Sequence, residues 1–192
     1  MHDEEPTLLI IVGPIAVGKM TVGQEVARIT GWPLFYNHLL IDLVTRFFPF
    51  QSPSFQRLTR GFTVPFFEEI AATRQSLIVT YGWAFDEPEL VEVLLGYIRP
   101  VTEAGHRVCF AELEAPLEVR LERNLTENRR RNKNTDWATD AELRRLHAEH
   151  RWNSEGAFPL DMPHLVVDTM SRNPTECAEA IVRHFGFRLA GT

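Results

Sequence analysis

The sequence predicts an α/β fold: a five-stranded parallel sheet with helices on both faces, plus a small helical cap and a lid. Three observations predict it. Five short apolar runs alternate with stretches whose apolar residues recur at helical spacing, and strands joined through helices imply right-handed crossovers and a parallel sheet. The first run, LLIIV at 8–12, passes directly into Gly13–Lys19, which fits G-x-x-x-x-G-K. The residues with the most informative chemistry all follow strands, which in a parallel sheet gathers them at its carboxyl edge.

The first strand leads into a loop made for phosphate. Gly13 and Gly18 let the backbone fold back so that the N–H groups of the intervening residues, Ala16 and Val17 among them, point into one concavity. The helix that follows adds the positive end of its dipole, and Lys19 supplies a mobile ammonium. Val22, Val26 and Ile29 mark that helix, and Gly31 stops it. Met20 stands where Ser or Thr normally gives a hydroxyl to magnesium, with Thr21 next.

PLFY at 33–36 reads as the second strand, followed by Asn37 and His38. From His38 to Phe47 the apolar residues fit a helix, leaving His38, Asp42 and Arg46 as one polar stripe. That stripe reads either as a substrate-facing acid–base group or as an exposed, ion-paired face. Residues 48–63 break the periodicity with two prolines and a glycine while keeping four phenylalanines, which predicts a small helical cap over a pocket rather than a free loop, about 48–75 with the helix that follows. Arg57 and Arg60 within it either meet an anionic substrate or form a solvated pair. A helix from about Val64 to Arg74 then delivers the chain to a third strand at 76–81.

Asp86 ends the turn after that strand, where a carboxylate either serves the chemistry, as a proton acceptor or through magnesium waters, or caps the helix opened by Glu87-Pro88. RVCFAEL at 107–113 makes the fourth strand. Pro116 begins a helix carrying Arg120 and Arg123, and the run on to Arg129, Arg130, Arg131 and Lys133 reads as an arginine-bearing flap over about 124–139. Thr139 with Glu142 forms a capping-box signature for the next helix. HLVVD at 164–168 is the fifth strand, and Asn173, Pro174 and Glu176 signal the start of the last helix.

Composition bounds the function. A length of 192 residues favours one domain over 1–192. Apolar residues at 44% and charged residues at 24% are ordinary globular values. A net charge of −6 speaks against bulk nucleic-acid or anionic-membrane binding and leaves a local basic pocket open. Cys109 and Cys177 form no metal-like spacing and read as reduced, structural thiols. No run has the length of a membrane span, and the start MHDEEP lacks the basic region of a signal peptide. A cytoplasmic protein with no membrane partner, a monomer or homodimer, is the expectation.

Residues 13–36, GPIAVGKMTVGQEVARITGWPLFY, and 166–185, VVDTMSRNPTECAEAIVRHF, resemble the phosphate loop, second strand and last helix of P-loop small-molecule kinases. The similarity is greatest to the shikimate kinase and gluconate kinase type and looser to nucleoside monophosphate kinases. The resemblance implies a three-layer P-loop NTPase fold, ATP and Mg²⁺ as cofactors and a small-molecule substrate. It implies that Arg123 and Pro174 flank the adenine and that the flap around Arg129 closes over the phosphates. The chain departs from shikimate kinases at Asn37-His38, where they carry acidic residues, and at Gly82-Trp83, where they carry a run of glycines. Shikimate itself is therefore not supported. Adenylate kinases likewise lack a hydroxyl at the position of Met20 and have Thr next, so Thr21 and Asp86 are the magnesium candidates.

The leading expectation is an ATP-dependent phosphotransferase acting on a small hydroxylated or phosphorylated metabolite. Lys19 would hold the outer phosphates, Arg129 would stabilise the transition state, and Asp86 or His38 would take the acceptor proton. Asn37, His38, Asp42, Arg57 and Arg60 would bind the acceptor. A nucleotide-binding or nucleotide-hydrolysing regulator is the alternative from another class, and a nucleic-acid end kinase is a third reading that the acidic balance disfavours.

Overall fold

The computed structural model describes residues 5–36, 38–125 and 139–191. In chain order these form β1 (Thr7–Val12), α1 (Lys19–Thr30), β2 (Leu34–Tyr36), α2 (His38–Thr45), α3 (Pro53–Thr73) and β3 (Leu77–Thr80). There follow α4 (Pro88–Glu103), β4 (Arg107–Glu114), α5 (Leu117–Asn124), α6 (Asp140–Glu149), β5 (His164–Asp168) and α7 (Pro174–Phe185). The five strands form one parallel sheet in the order β2-β3-β1-β4-β5. This is the predicted α/β class, with all five strands where the apolar runs placed them.

β1 lies at the centre, with Leu8–Ile11 paired to Leu77–Thr80 of β3 and Thr7–Val12 paired to Arg107–Glu112 of β4. A strand buried on both faces has no polar side to alternate with, and every residue of β1 is buried. Its side chains divide between two cores. Leu9 and Ile11 pack with Val22 and Val26 of α1 and with Ile181 and Phe185 of α7. Leu8, Ile10 and Val12 pack on the opposite face with Phe67 and Ile70 of α3 and with Leu94 and Ile98 of α4. The three layers follow from that division.

The helix starts obey local chemistry. The Thr139 side chain accepts from the Glu142 amide at the start of α6, and Asn173 with Glu176 forms a full capping box for α7. Cys109 and Cys177 are buried free thiols.

One boundary is corrected. Residues 48–63 are helical from Pro53, as a small helical cap implies, but they are not separate from the helix expected at about Val64: α3 runs unbroken for 21 residues from Pro53. Ser52 caps it by accepting from the Phe55 amide at 3.2 Å, and Pro53 occupies the first turn, where its missing N–H costs nothing. Gly61 and Pro65 are absorbed inside the helix, where Phe55, Thr63, Phe67 and Ile70 are buried. Tertiary packing thus overrides the breaker residues. The stripe on α2 is divided: His38 and Asp42 are half-buried and Arg46 is exposed, and Leu39, Leu43 and Phe47 face solvent.

The constraint at Gly13 is testable. Gly13 has φ 131°, and a Cβ there would lie 2.4 Å from the Leu113 carbonyl oxygen. Gly13→Ala should lower stability by about 3 kcal/mol, or roughly 6–12 °C in a thermal melt of a chain this size. Gly96, exposed inside α4 with nothing near its Cβ position, is the control. Gly96→Ala should raise stability by about 0.5–1 kcal/mol.

Candidate functional site

The loop after β1 turns on three residues with positive φ: Gly13 at 131°, Ala16 at 64° and Gly18 at 108°. Alternation of this kind aims successive backbone N–H groups inward, and α1 begins at Lys19, immediately after Gly18. Lys19 Nζ donates to the carbonyl oxygens of Gly13 at 2.5 Å and Pro14 at 2.8 Å. The ammonium is thereby folded over the rim of its own loop.

A cavity of about 500 Å³ opens from this loop. Ala16, Val17, Gly18, Lys19, Met20 and Thr21 line one side, and Arg123 with the Thr169–Pro174 turn after β5 lines the other. The sequence expected these residues of the loop, Arg123 and Pro174 to belong to one site, and the structure brings them together. It also adds Thr169, Ser171, Arg172 and Cys177, which sequence reasoning missed. Their one available signal was position, since the turn after a fifth parallel strand must reach the same edge. Burial pushes the Cys177 thiol above its ordinary range.

Arg123 braces this cavity. Its Nη1 donates to Val17 O at 3.0 Å and Thr169 Oγ1 at 2.8 Å, and its Nη2 to Thr169 O at 2.7 Å. One turn earlier in α5, Arg120 is only 3% exposed. It donates to the carbonyls of Ala115 and Ile15, each at 3.3 Å, and contacts His147 Nδ1 of α6 at 3.1 Å. Because a guanidinium only donates, Nδ1 of His147 is the acceptor and carries no proton. Burial, and then the Arg120 charge, hold the His147 pKa below its ordinary value. Two arginines therefore fasten the loop, one to β5 and one to α6.

The end of β4 anchors the return segment from α6. Glu112 is fully buried and accepts from Ser154 N at 2.7 Å and Asn153 Nδ2 at 2.9 Å, and it pairs with His164 Nε2 at 2.8 Å. The His164 ring stacks on Phe158 with centroids 3.9 Å apart. Burial acts to raise the Glu112 pKa, but the hydrogen bonds from His164, Ser154 and Asn153 outweigh it and hold the carboxyl below the ordinary range. A lone acid inside the apolar run RVCFAEL was its sequence signal.

The acceptor-side candidates are more dispersed. Asp86 follows β3, and its Oδ1 accepts from Arg151 N at 2.9 Å. Its Oδ2 lies 3.7 Å from His150 Nδ1. It does not cap α4, whose N-cap is Glu87 with no side-chain bond. Trp83, in the same turn, is fully buried and stacks on Phe85 at 4.3 Å. His38 opens α2 at the end of β2, with Asp42 one turn on, and Arg57 and Arg60 are exposed on α3. Neither Asp86, His38, Asp42, Arg57 nor Arg60 lines the loop cavity. Asn37 and Arg129, with most of the expected flap, lie outside the described residues.

Among the described residues no three His, Cys, Asp or Glu side chains are grouped to hold a metal ion. No helix among them is long and apolar enough to cross a membrane.

The architecture is the shikimate/gluconate-kinase-like P-loop fold, and solved structures bear this out. A candidate kinase from Chloroflexus aurantiacus matches 94% of this chain over 99% of its own, at 20% identity and TM-score 0.66. The shikimate kinase of Acinetobacter baumannii, determined with shikimate, matches 95% of this chain over 94% of its own, at 17% identity and TM-score 0.57. A gluconokinase from Sinorhizobium meliloti matches 95% over 93%, at 15% identity and TM-score 0.56. No protein-family model matches the chain, and no curated protein matches it by sequence.

Glu112 gives a pH test. A carboxyl held low in the folded state contributes stability that is present above its unfolded value, ordinarily 4.5, and is lost as pH falls through the folded-state value. Glu112→Gln should be roughly 1–3 kcal/mol less stable at pH 7. Its deficit relative to the parent should shrink as thermal melts are taken below about pH 4.5.

Proposed function

We propose that the protein is an ATP-dependent phosphotransferase that moves a γ-phosphate to the hydroxyl of a small molecule. The observation that carries this reading is the single cavity that joins the phosphate loop and Lys19 to Arg123 and the turn at Pro174. It has a cradle for phosphates at one end and a less polar recess, with Met170, Pro174 and Cys177, at the other. Those are the two halves of a nucleoside triphosphate. The small-molecule kinases that share this fold support the same reading.

Phosphoryl transfer asks mainly for positioning and for charge to balance the transferring group. The loop N–H groups and Lys19 would hold the β- and γ-phosphates, with Lys19 exchanging two loop carbonyls for phosphate oxygens. The acceptor oxygen then bonds to the γ-phosphorus as its bond to the bridging oxygen breaks and ADP departs. The acceptor proton passes to Asp86, or to His38 as the second candidate. One carboxylate oxygen of Asp86 accepts from the Arg151 amide and the other lies 3.7 Å from His150 Nδ1, which holds the carboxylate in the turn after β3. Mg²⁺, when bound, neutralises charge on the β- and γ-phosphates. Magnesium takes few protein ligands and keeps several waters, and of its two candidate ligands Thr21 lines the cavity while Asp86 does not, so Thr21 would hold it from the loop side. Arg129 from the flap is the proposed transition-state cation.

The test is a metabolite panel incubated with ATP and scored by ADP release and product mass. The expected result is transfer to a hydroxylated acceptor, with Lys19→Ala reducing its rate by on the order of a thousandfold. Transfer that survives Lys19→Ala would place the chemistry elsewhere. Asp86→Asn should lower kcat at least tenfold with KM little changed if Asp86 is the base, and a kcat left at the parent's value would pass that role to His38.

A further inference from the structure

The phosphate loop is gripped from behind. A trans peptide unit is planar, so its C=O and the next N–H point in opposite directions, and no cis bond occurs among the described residues. A donor that takes the carbonyl on the protein side therefore turns the following N–H to the other side. Arg123 does this at Val17, whose carbonyl it holds at 3.0 Å, and so sets the N–H of Gly18. Arg120 does it at Ile15, at 3.3 Å, and so sets the N–H of Ala16. Ala16 lines the cavity, whereas Ile15 and Arg120 do not, so this N–H is aimed to the anion side of the loop. Ala16 also carries a positive φ of 64° without being a glycine, a conformation that persists only where its surroundings impose it.

The two braces are held differently. Arg123 is fastened by the hydroxyl and carbonyl of Thr169, neither of which titrates. Arg120 holds, besides Ile15 O, the Ala115 carbonyl at 3.3 Å and His147 Nδ1 at 3.1 Å. The imidazole is the shortest of the three contacts, and its capacity to accept ends when Nδ1 takes a proton. Arg120 is buried and has no ready replacement in water. His147 is exposed, so solvent protons reach its ring. Once protonated, the ring sets a second cation 3.1 Å from the guanidinium.

Among the described residues the charged group facing the ring is Arg120. Glu118 of α5 is held by Arg144 at 3.1 Å, and Lys19 of the loop is folded onto Gly13 and Pro14. On α6 itself Arg145 engages Glu142 and Glu149, and His150 turns to Glu87 and Asp86. Desolvation of the ring, then the Arg120 charge, hold the His147 pKa below its ordinary 6.5.

Resting on the reading of this loop as a nucleotide phosphate site, we infer that His147 and Arg120 are positioning residues of the phosphate cradle, and that Arg120 keeps its grip on Ile15 only while His147 is neutral. Nucleotide affinity is then lost as pH falls through the value of this one imidazole.

The test follows two readouts in the full chain between about pH 8 and about pH 5. In the nucleotide-free protein the Ala16 amide, observed by ¹H–¹⁵N correlation, should shift with the midpoint of the His147 ring, below 6.5. His147→Gln, whose amide oxygen accepts from Arg120 at every pH, should abolish that shift. ADP affinity by calorimetry, taken as the ratio of parent to His147→Gln so that titration of ADP itself cancels, should fall about threefold to tenfold over the same range. His147→Leu, which offers no acceptor, should bind ADP about threefold to tenfold more weakly than His147→Gln even at pH 8. The substituted position is exposed, and circular dichroism melts establish that both variants fold. An Ala16 shift that persists in His147→Gln, parallel affinity curves for parent and His147→Gln, or equal binding by the Leu and Gln variants overturns the proposal. The Ala16 readout needs no nucleotide. ADP binding that is absent, or unchanged by Lys19→Ala, therefore overturns the nucleotide reading of the loop, while the amide still decides whether His147 sets its geometry.

Discussion

The arrangement of the candidate site depends on how closely the backbone leaving β1 passes the end of β4. At Gly13 a hydrogen atom is all that fits against the Leu113 carbonyl, since a Cβ would lie 2.4 Å from its oxygen. This contact sets the plane in which the phosphate loop turns. The same few residues of β4 hold the other segments in place. Leu113 O and Glu112 accept from Asn153, Glu114 O accepts from the Thr169 amide and hydroxyl, and Ala115 O accepts from Arg120. The phosphate loop, the turn after β5, the start of α5 and the return from α6 are therefore positioned by one short stretch of a central strand. A strand buried between two neighbours is among the least deformable places in a fold, which makes it a suitable reference for geometry at the sheet edge.

The two arginines of α5 add charge to this frame. Burying a guanidinium is costly unless its donors are satisfied. Among the described residues Arg120 meets that demand with two carbonyls and an imidazole and with no carboxylate. Carbonyl dipoles satisfy the N–H groups without cancelling the net charge. The positive field stays directed at the loop, to the benefit of an anion bound there. His147 takes part only as a neutral ring, and its pKa is held low by burial and by Arg120 itself. The contact between α5 and α6 thus leaves a buried cation without a carboxylate partner among the described residues, beside the loop after β1.

Much of this was legible in the sequence because it rests on backbone rules. Five apolar runs, the spacing of Gly13, Gly18 and Lys19, and the capping signals at Thr139 and Asn173 reflect local demands that tertiary structure did not alter. The placing of Arg123 with the loop came from the resemblance to P-loop kinases, and Arg123 lines the same cavity as the loop. The failures have physical causes too. α3 keeps Gly61 and Pro65 within a continuous helix because Phe55, Thr63, Phe67 and Ile70 bury one side of it, and burial outweighs propensity. The orientation of α2 stayed open between two readings because periodicity identifies a stripe but not the direction it faces. Thr169 and Arg120 carried no motif, and their roles come from carbonyls that sequence does not display.

The two halves of the candidate site differ in what specifies them, and this accounts for what the fold similarity reaches. The phosphate side is built from backbone N–H and C=O groups held by glycines and by β4, so very different side chains can support it. Solved structures with the same architecture share only 15–20% of residues with this chain. The remaining candidates are side chains on separate elements, and Asp86, His38, Arg57 and Arg60 all lie outside the loop cavity. Backbone geometry survives wide sequence divergence, whereas a site made of side chains changes with single substitutions, so the similarity of fold reaches the loop after β1 and goes no further.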